Sequence, residues 1–446
     1  MMKMGDAGFL LAEGPSRGAQ VSMLTTWSLP KGAKGDFFSK LVAHWRGCRN
    51  FVAPFNLRVK PSGLLPDWET LSPDQIDLDY HLFHSGLPMP GGERELGVLA
   101  SRIHSIPLDR SRPLWEMHVI EGLEGGRFAL LFKLHHSQID GMGAIRLIER
   151  VLSPDASTRN MPAFWEVAPK PALGKASAST RKAKPSDLAK LAKAWRDMQF
   201  GKHPDSAAPF DAPMTVLNSR LKQPRRVATQ LYDTTRLTGL AKKAGVTMND
   251  VALNICATAL RKYLLERGEL PDKSLTAGLP VSLRDEEGVG NSISFIVAKL
   301  HTGIANPVER LRAIHRSTTL AKERYQTLPS RMTRETLGTL VMAPYIGQVA
   351  MNLGGRYTPV FNVVISNVPG PKTFLYLNGA RMEAFYPISL IFDGQALNIT
   401  FLSYAGRCAV GFTSCREAVP SMQRIAVATG EALIELEKAL GEAAIA

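Results

Sequence analysis

The chain has 446 residues, 45% of them hydrophobic and 21% charged, with a formal net charge of +14. That length is too great for one ordinary core and implies two or three domains, while the composition excludes a disordered chain. The positive charge favours an acidic partner, either nucleic acid or an anionic membrane surface. Four cysteines (Cys48, Cys256, Cys408, Cys415) form no C-x-x-C pair and show no metal-ligand spacing, which indicates a reduced, cytosolic protein.

The first residues, MMKMGDAGFLLAEG, contain an apolar stretch bounded by Asp6 and Glu13 that is too short for a signal peptide. Gly14-Pro15-Ser16-Arg17-Gly18 matches the G-x-S-x-G of serine hydrolases. Strand-like sequence follows instead of the helix a nucleophile elbow needs, so a surface turn is expected. VSMLTTWSL (21–29) reads as a strand and DFFSKLVAHWRG (36–47) as an amphipathic helix. WEMHVIEGL (115–123) and FALLFKLH (128–135) flank Glu124-Gly125-Gly126-Arg127 as a hairpin. In MGAIRLIERVL (142–152), Ile145, Ile148 and Leu152 recur at helical spacing.

From Ser153 to Pro213 the pattern decays into a Pro-, Ala-, Ser- and Lys-rich linker, with nine Lys or Arg between Lys170 and Lys202 against Asp187 and Asp197. Inside it, DLAKLAKAWRDMQF (187–200) puts Leu188, Leu191, Trp195 and Met198 on one helical face and Lys190, Lys193 and Arg196 off it. Such a helix either anchors at a membrane interface or packs its stripe on the protein body.

A second half begins near Met214. Thr247 and Asp250 form a capping signal for NDVALNICATALRKYLLE (249–266). The uncharged stretch Thr336–Gly355 is long enough to span a membrane but lacks the hydrophobicity, and reads as buried or interfacial. FNVVISNV (361–368) is a buried strand stopped by Pro369-Gly370-Pro371. LNITFLSY (397–404) and RCAVGFT (407–413) form a hairpin across Ala405-Gly406, and MQRIAVATGEALIELEKAL (422–440) is a closing helix. The pattern gives an α/β class with two α/β domains, 1–153 and 214–446, joined by a basic linker, 154–213.

HHSQIDG (135–141) carries the chemistry. His135 and His136 stand where a strand gives way to a helix, a common place for ligands in open sheets. Gly141 and Gly143 allow close approach, and an imidazole takes and returns a proton near neutral pH. The competing reading makes the histidines core residues and Asp140 a helix cap. The doublet, the Asp-Gly pair and the junction together favour a site. No phosphate loop, dinucleotide fingerprint or H-E-x-x-H is present, and adjacent histidines chelate one ion poorly, so no metal is expected.

HHSQIDG resembles the HHxxxDG motif of the chloramphenicol acetyltransferase-like, acyl-CoA-dependent acyltransferases. PLWEMHVIEGL (113–123), NDVALNICATAL (249–260) and SNVPGP (366–371) narrow the resemblance to the bacterial wax ester synthase/diacylglycerol acyltransferase family. The resemblance implies two mixed-sheet α/β domains of the chloramphenicol acetyltransferase type with a channel between them. It implies an O-acyltransferase that needs no cofactor, because fatty acyl-CoA is a substrate, with a long-chain alcohol or diacylglycerol as acceptor.

By the same resemblance His136 is the base, no acyl-enzyme forms, and His135 is structural. Asp140 would point away from substrate and pair with an arginine, with Arg284 as candidate and Arg225 or Arg226 as alternatives. Gly141 would leave room for the acyl chain. Trp115, Asn249 and Asp250 occupy family-signature positions, with core packing and helix capping as their local readings. Ser366 and Asn367 could supply oxyanion hydrogen bonds.

Water-insoluble acceptors and the basic linker favour a cytoplasmic protein held peripherally at a membrane or lipid-body surface, with the 187–200 helix as anchor. The alternatives are a short-chain or aryl alcohol acyltransferase on the same scaffold, a membrane-adsorbed scaffold protein, or a basic nucleic-acid-binding protein. The last is disfavoured because aromatics are not interleaved with the Lys and Arg clusters.

Overall fold

The computed structural model describes the whole chain except residues 1, 3, 15, 31, 34, 61–65, 170–184, 201–202, 285–290, 329–330 and 444–446, and except the side chains of 4–6, 185–186, 281–284, 291–294, 331 and 442–443. In chain order the first half contains α1 (Met4–Ala12), β1 (Gln20–Ser28), α2 (Phe37–Gly47), β2 (Leu57–Val59), β3 (Trp68–Thr70), α3 (Leu78–His81), β4 (Leu82–Gly86), α4 (Glu93–Ser105), β5 (Trp115–Leu123), β6 (Arg127–His135) and α5 (Gly141–Val151). After α6 (Pro185–Phe200) come β7 (Arg225–Asp233), α7 (Thr234–Ala244), α8 (Met248–Glu266), β8 (Thr276–Arg284), β9 (Asn291–Lys299), α9 (Pro307–Gln326) and α10 (Arg331–Ala350). The chain then forms β10 (Val363–Pro369), β11 (Tyr376–Leu377), β12 (Ala380–Ile388), β13 (Leu397–Tyr404), β14 (Arg407–Cys415) and α11 (Gln423–Ala443).

Two six-stranded sheets organise these elements, in the orders β11-β12-β1-β6-β5-β4 and β7-β14-β13-β10-β8-β9. Both are mixed: β4 runs parallel to β5, and β10 runs parallel to β13 and β8. The β5–β6 hairpin reads as nearly continuous apolar sequence because both of its faces are covered. Trp115, Met117, Phe132 and Leu134 enter one core, while Ile120, Ala129 and Leu131 enter another. That second face also buries Lys133, whose Nζ lies 3.2 Å from the Glu116 carboxylate, the pairing a buried charge requires.

The expected boundaries need correction. Residues of β11 and β12, far inside the second half, complete the first sheet, with β12 antiparallel to β1 through Ser22↔Ile388 and Thr25↔Phe385. Without β12, β1 would be an exposed edge. Residues 161–165, assigned to the linker by composition, bury Met161, Phe164 and Trp165 in the first core, where Trp165 stacks on Trp115 with ring centroids 5.1 Å apart. The two sheets meet closely at Gly411. A Cβ there would lie 1.7 Å from the Pro387 carbonyl oxygen, so only glycine lets β14 cross β12.

The 187–200 helix also departs from expectation. Leu191, Ala194 and Met198 are buried in the second core and Trp195 packs against it, while Leu188 is exposed. The Trp-bearing stripe is therefore consumed by the protein body, and Lys190, Lys193 and Arg196 face outward. Among the described residues no helix is long and apolar enough to cross a membrane.

Burial also sets an acid sensitivity. Desolvation pushes His81 down to about 4 and His104 to about 3, from an ordinary value of 6.5. Both stay neutral when folded and take up a proton below pH 6.5 when unfolded. Stability is therefore expected to fall as pH drops from 6.5 toward 4, by about 1.4 kcal/mol per pH unit per histidine. Thermal melts across that range check it, and a flat melting midpoint would contradict the buried, neutral assignment.

Candidate active site

The histidine doublet is fixed by its backbone. His135 N–H donates to the Leu114 carbonyl (3.1 Å), His136 N–H to the Ala19 carbonyl (3.0 Å), and Gln138 N–H turns back to the His135 carbonyl (3.0 Å). The end of β6 is thus clamped between β1 and the segment before β5. The two rings then diverge.

His135 is 1% exposed. Its Nδ1 accepts from Ser137 N–H at 3.2 Å and lies 2.6 Å from Ser137 Oγ, so the ring proton sits on Nε2. Nε2 faces Glu13 Oε1 at 3.2 Å. The Glu13 carboxylate also accepts from Ala19 N–H (2.8 Å) and from Arg110 Nε (3.0 Å) and Nη2 (2.7 Å). Burial works to raise the Glu13 pKa, but its bonds to His135, Ala19 and Arg110 outweigh it and hold the carboxyl at about 2. An ionised Arg110–Glu13 pair therefore orients His135, and His135 holds the turn that carries His136.

His136 is half-buried, with the Phe9 ring of α1 tilted at 35° beside it, 4.4 Å between centroids. Since α1 also touches α10 of the second half, His136 lies at the seam between the two halves. Its Nδ1 is buried and has no hydrogen-bond partner among the described residues. Burial pushes its pKa down to about 4, partly offset by the Asp140 charge. At neutral pH the ring is an unprotonated base.

Asp140 fills its local role, a helix cap. It is exposed, caps α5 by accepting from Gly143 N–H at 2.6 Å, and has no arginine or lysine partner among the described residues. The Arg284 side chain lies outside the described residues. Arg225 is occupied elsewhere, donating to the Lys222, Gln223 and Ser16 carbonyls, and Arg226 lies on the same strand, β7. The local reading, a helix cap, describes Asp140. Asp140→Ala is accordingly expected to cost about 1 kcal/mol and Asp140→Asn close to nothing, both measurable by urea denaturation. Gly141, the first residue of α5, faces open space, since nothing lies within 4 Å of where its Cβ would be.

The family described as "Wax ester synthase/diacylglycerol acyltransferase catalytic domain" matches residues 2–252, and "WS/DGAT C-terminal domain" matches 289–437. The chain belongs to the wax ester synthase/diacylglycerol acyltransferase family. A putative diacylglycerol O-acyltransferase of Mycobacterium tuberculosis is 38% identical, over 99% of this chain and 97% of its own length. The O-acyltransferase WSD of Acinetobacter baylyi is 38% identical, over 94% of this chain and 92% of its own. The wax ester synthase/diacylglycerol acyltransferase of Marinobacter aquaeolei superposes with a TM-score of 0.82 at 34% identity, covering 99% of this chain and all (100%) of that one. The first condensation domain of the CDA synthetase shares the mixed two-domain fold, with a TM-score of 0.60 at 15% identity, covering 99% and 95% of the two chains.

The signature positions of this O-acyltransferase do different things. Trp115 is fully buried, donates Nε1–H to the Phe55 carbonyl (2.9 Å) and stacks on His81 (4.3 Å), so it builds the core under the doublet. Asp250 caps α8 from a fully buried position, and Asn249 is half-buried beside it. Ser366 and Asn367 are half-buried on β10, opposite Thr400 and Phe401 of β13. Sequence reasoning missed Phe9, Glu13 and Arg110. The one signal for Glu13 was a lone carboxylate ending an apolar run, and its partners are 97 and 122 residues away in the chain.

Among the described residues no group of three His, Cys, Asp or Glu side chains could hold a metal ion.

Proposed function

We propose that this enzyme moves a long-chain fatty acyl group from acyl-CoA to a long-chain alcohol, giving a wax ester, or to diacylglycerol, giving triacylglycerol. His136 is the general base. The observation that carries the reading is a neutral imidazole at the seam: burial keeps the His136 ring unprotonated at neutral pH, against α1 where that helix meets the second half. The alcohol proton passes to Nε2 as the hydroxyl oxygen attacks the thioester carbonyl. The carbon–sulfur bond then breaks, and the CoA thiolate takes the proton back from the imidazolium. The proton goes out as it came in, so the chemistry needs no acyl-enzyme. The test is release of free CoA thiol from palmitoyl-CoA with hexadecanol or with diolein, and no release with either acceptor would overturn the reading.

We also propose that the enzyme works in the cytoplasm at the surface of a membrane or lipid body, where its acceptors collect. The contact is assigned away from the Trp195 stripe, which is packed. Helix α6 lies against α10. Lys190, Lys193 and Arg196 of α6 face outward, and α10 exposes Ile346, with Met351 just after its end, 59% and 64% accessible. Cations beside exposed apolar side chains suit an anionic lipid surface, at ~1 kcal/mol per charge. The protein is expected to sediment with anionic liposomes at low salt and to be released at high salt, with Lys190, Lys193 and Arg196 changed to Glu weakening the binding. Binding unaffected by both changes would place the contact elsewhere.

A further inference from the structure

A cleft of about 350 Å³ opens between α4 and the start of β7, on the seam of the two halves. Ser101 and Ser105 of α4 hold this seam together, their hydroxyl oxygens accepting the Val227 and Arg225 N–H groups of edge strand β7 at 2.9 and 2.8 Å. The lining is cationic, with Arg102 from α4, Arg226 from β7 and Arg416 just after β14. Among the described residues no carboxylate lines it. Glu417, the nearest acid in sequence, reaches instead to Lys222 at 3.8 Å, and among the described residues none of the three arginines has an acidic partner. Val98 and Ile106, 52% and 55% exposed, join Pro224 as an apolar wall of the same cleft. Unpaired guanidiniums beside an apolar wall, in a volume suited to a small molecule, match a ligand with phosphates on a flat, weakly polar ring.

The cleft shares its inner wall with the catalytic strand ends. Behind it, buried Arg225 donates to the Ser16 carbonyl (2.6 Å), and Ser16 belongs to the turn between Glu13, which faces His135, and β1. On the α4 side, Gln20 Nε2 donates to the His104 carbonyl (2.8 Å), and Gln20 pairs with His135 across the sheet. Arg225 and Gln20 thus connect the cleft to the segments that hold the histidine doublet.

We propose that this cleft holds the phosphorylated nucleotide end of the acyl-CoA donor, a proposal that rests on acyl-CoA being the donor. Arg102, Arg226 and Arg416 take the phosphates, and Val98, Ile106 and Pro224 lie against the adenine. The thioester then extends along the seam to His136.

The test compares two donors, palmitoyl-CoA and palmitoyl-N-acetylcysteamine, which lacks the nucleotide. In the double variant Arg102→Gln/Arg416→Gln, the ratio of kcat/KM for palmitoyl-CoA to that for the truncated donor is expected to fall by roughly tenfold or more, the worth of one charged hydrogen bond. The fall should come mainly from KM. Lys262→Gln/Arg424→Gln, in a separate surface pocket between α8 and α11, should leave the ratio unchanged.

Calorimetry with adenosine 3′,5′-bisphosphate reads the cleft without turnover. Binding to the wild type that weakens in the double variant supports the proposal, whereas no binding, or equal binding, overturns it. A ratio that stays put while anionic-vesicle binding falls would instead assign the arginines to lipid headgroups, which also overturns it. If the wild type releases CoA normally while the ratio and calorimetry are unaffected by the variant, the cleft assignment alone fails. If the wild type uses neither donor, the donor reading fails first.

Discussion

His136→Ala is expected to lower CoA release from palmitoyl-CoA by ~10²–10⁴-fold with both acceptors while leaving the melting midpoint close to the wild type, because a half-buried ring at the seam contributes proton transfer more than packing. His135→Ala and Glu13→Gln should behave differently. They loosen the Arg110–Glu13–His135 linkage that orients the doublet, so activity and stability fall together. The wild-type pH profile provides a second readout. Burial holds His136 at about 4, so the acid limb of kcat/KM should lie well below the ordinary imidazole value of 6.5. An acid limb at 6.5 would mean the ring is better solvated in the working enzyme, and near-normal turnover in His136→Ala would remove it from the mechanism altogether.

Much of the architecture follows from local pattern. The strand expected at 397–404 is β13 residue for residue, the helix expected at 36–47 is α2 to within one residue, and the hairpin through Gly125 and Gly126 joins β5 to β6. These elements have clean periodicity or turn glycines with positive φ, and both act over a few residues. The failures are non-local. Nothing in ARMEAFYPI distinguishes a strand of the second sheet from one that crosses to pair with β1. The stripe on α6 marks an amphipathic helix but does not say what covers it, and here the second core does. The uncharged stretch around Pro344 is part of a 20-residue helix with exposed apolar side chains, a combination that composition alone leaves ambiguous.

At the site, His135, His136 and Asp140 were legible because they lie close together in sequence at one strand–helix junction. The carboxylate that orients His135 was not, because Glu13 is brought in from a separate helix–turn segment. Asp140 caps α5 through Gly143 N–H, while the side chain of its proposed partner Arg284 lies outside the described residues.

The signature pair Asn249-Asp250 allows the largest stability effect to be stated. Asp250 is fully buried, yet it accepts from Thr318 Oγ1 (2.7 Å), His315 Nδ1 (2.8 Å), Thr247 N–H (3.0 Å) and Thr247 Oγ1 (2.7 Å). Burial works to raise its pKa, but the bonds from Thr318, His315 and Thr247 outweigh it and keep the carboxyl below its ordinary 3.8. Its contribution is therefore complete above pH 3.8 and is lost only as acid protonates it in the folded protein. This carboxylate ties the first turn of α8 to the middle of α9. Asp250→Ala leaves four donors without their acceptor, the Thr318 hydroxyl buried and the His315 ring half-buried, and is expected to cost about 3–5 kcal/mol, read as a lower urea midpoint. Asp250→Asn should recover only part, since its amide can accept from Thr318 but presents N–H to donors on the other side. Activity separates structure from chemistry. Assayed well below its melting midpoint, Asp250→Asn should retain most of its kcat if the pair serves the fold. A folded variant with wild-type stability and no turnover would instead place Asp250 within reach of the reacting groups.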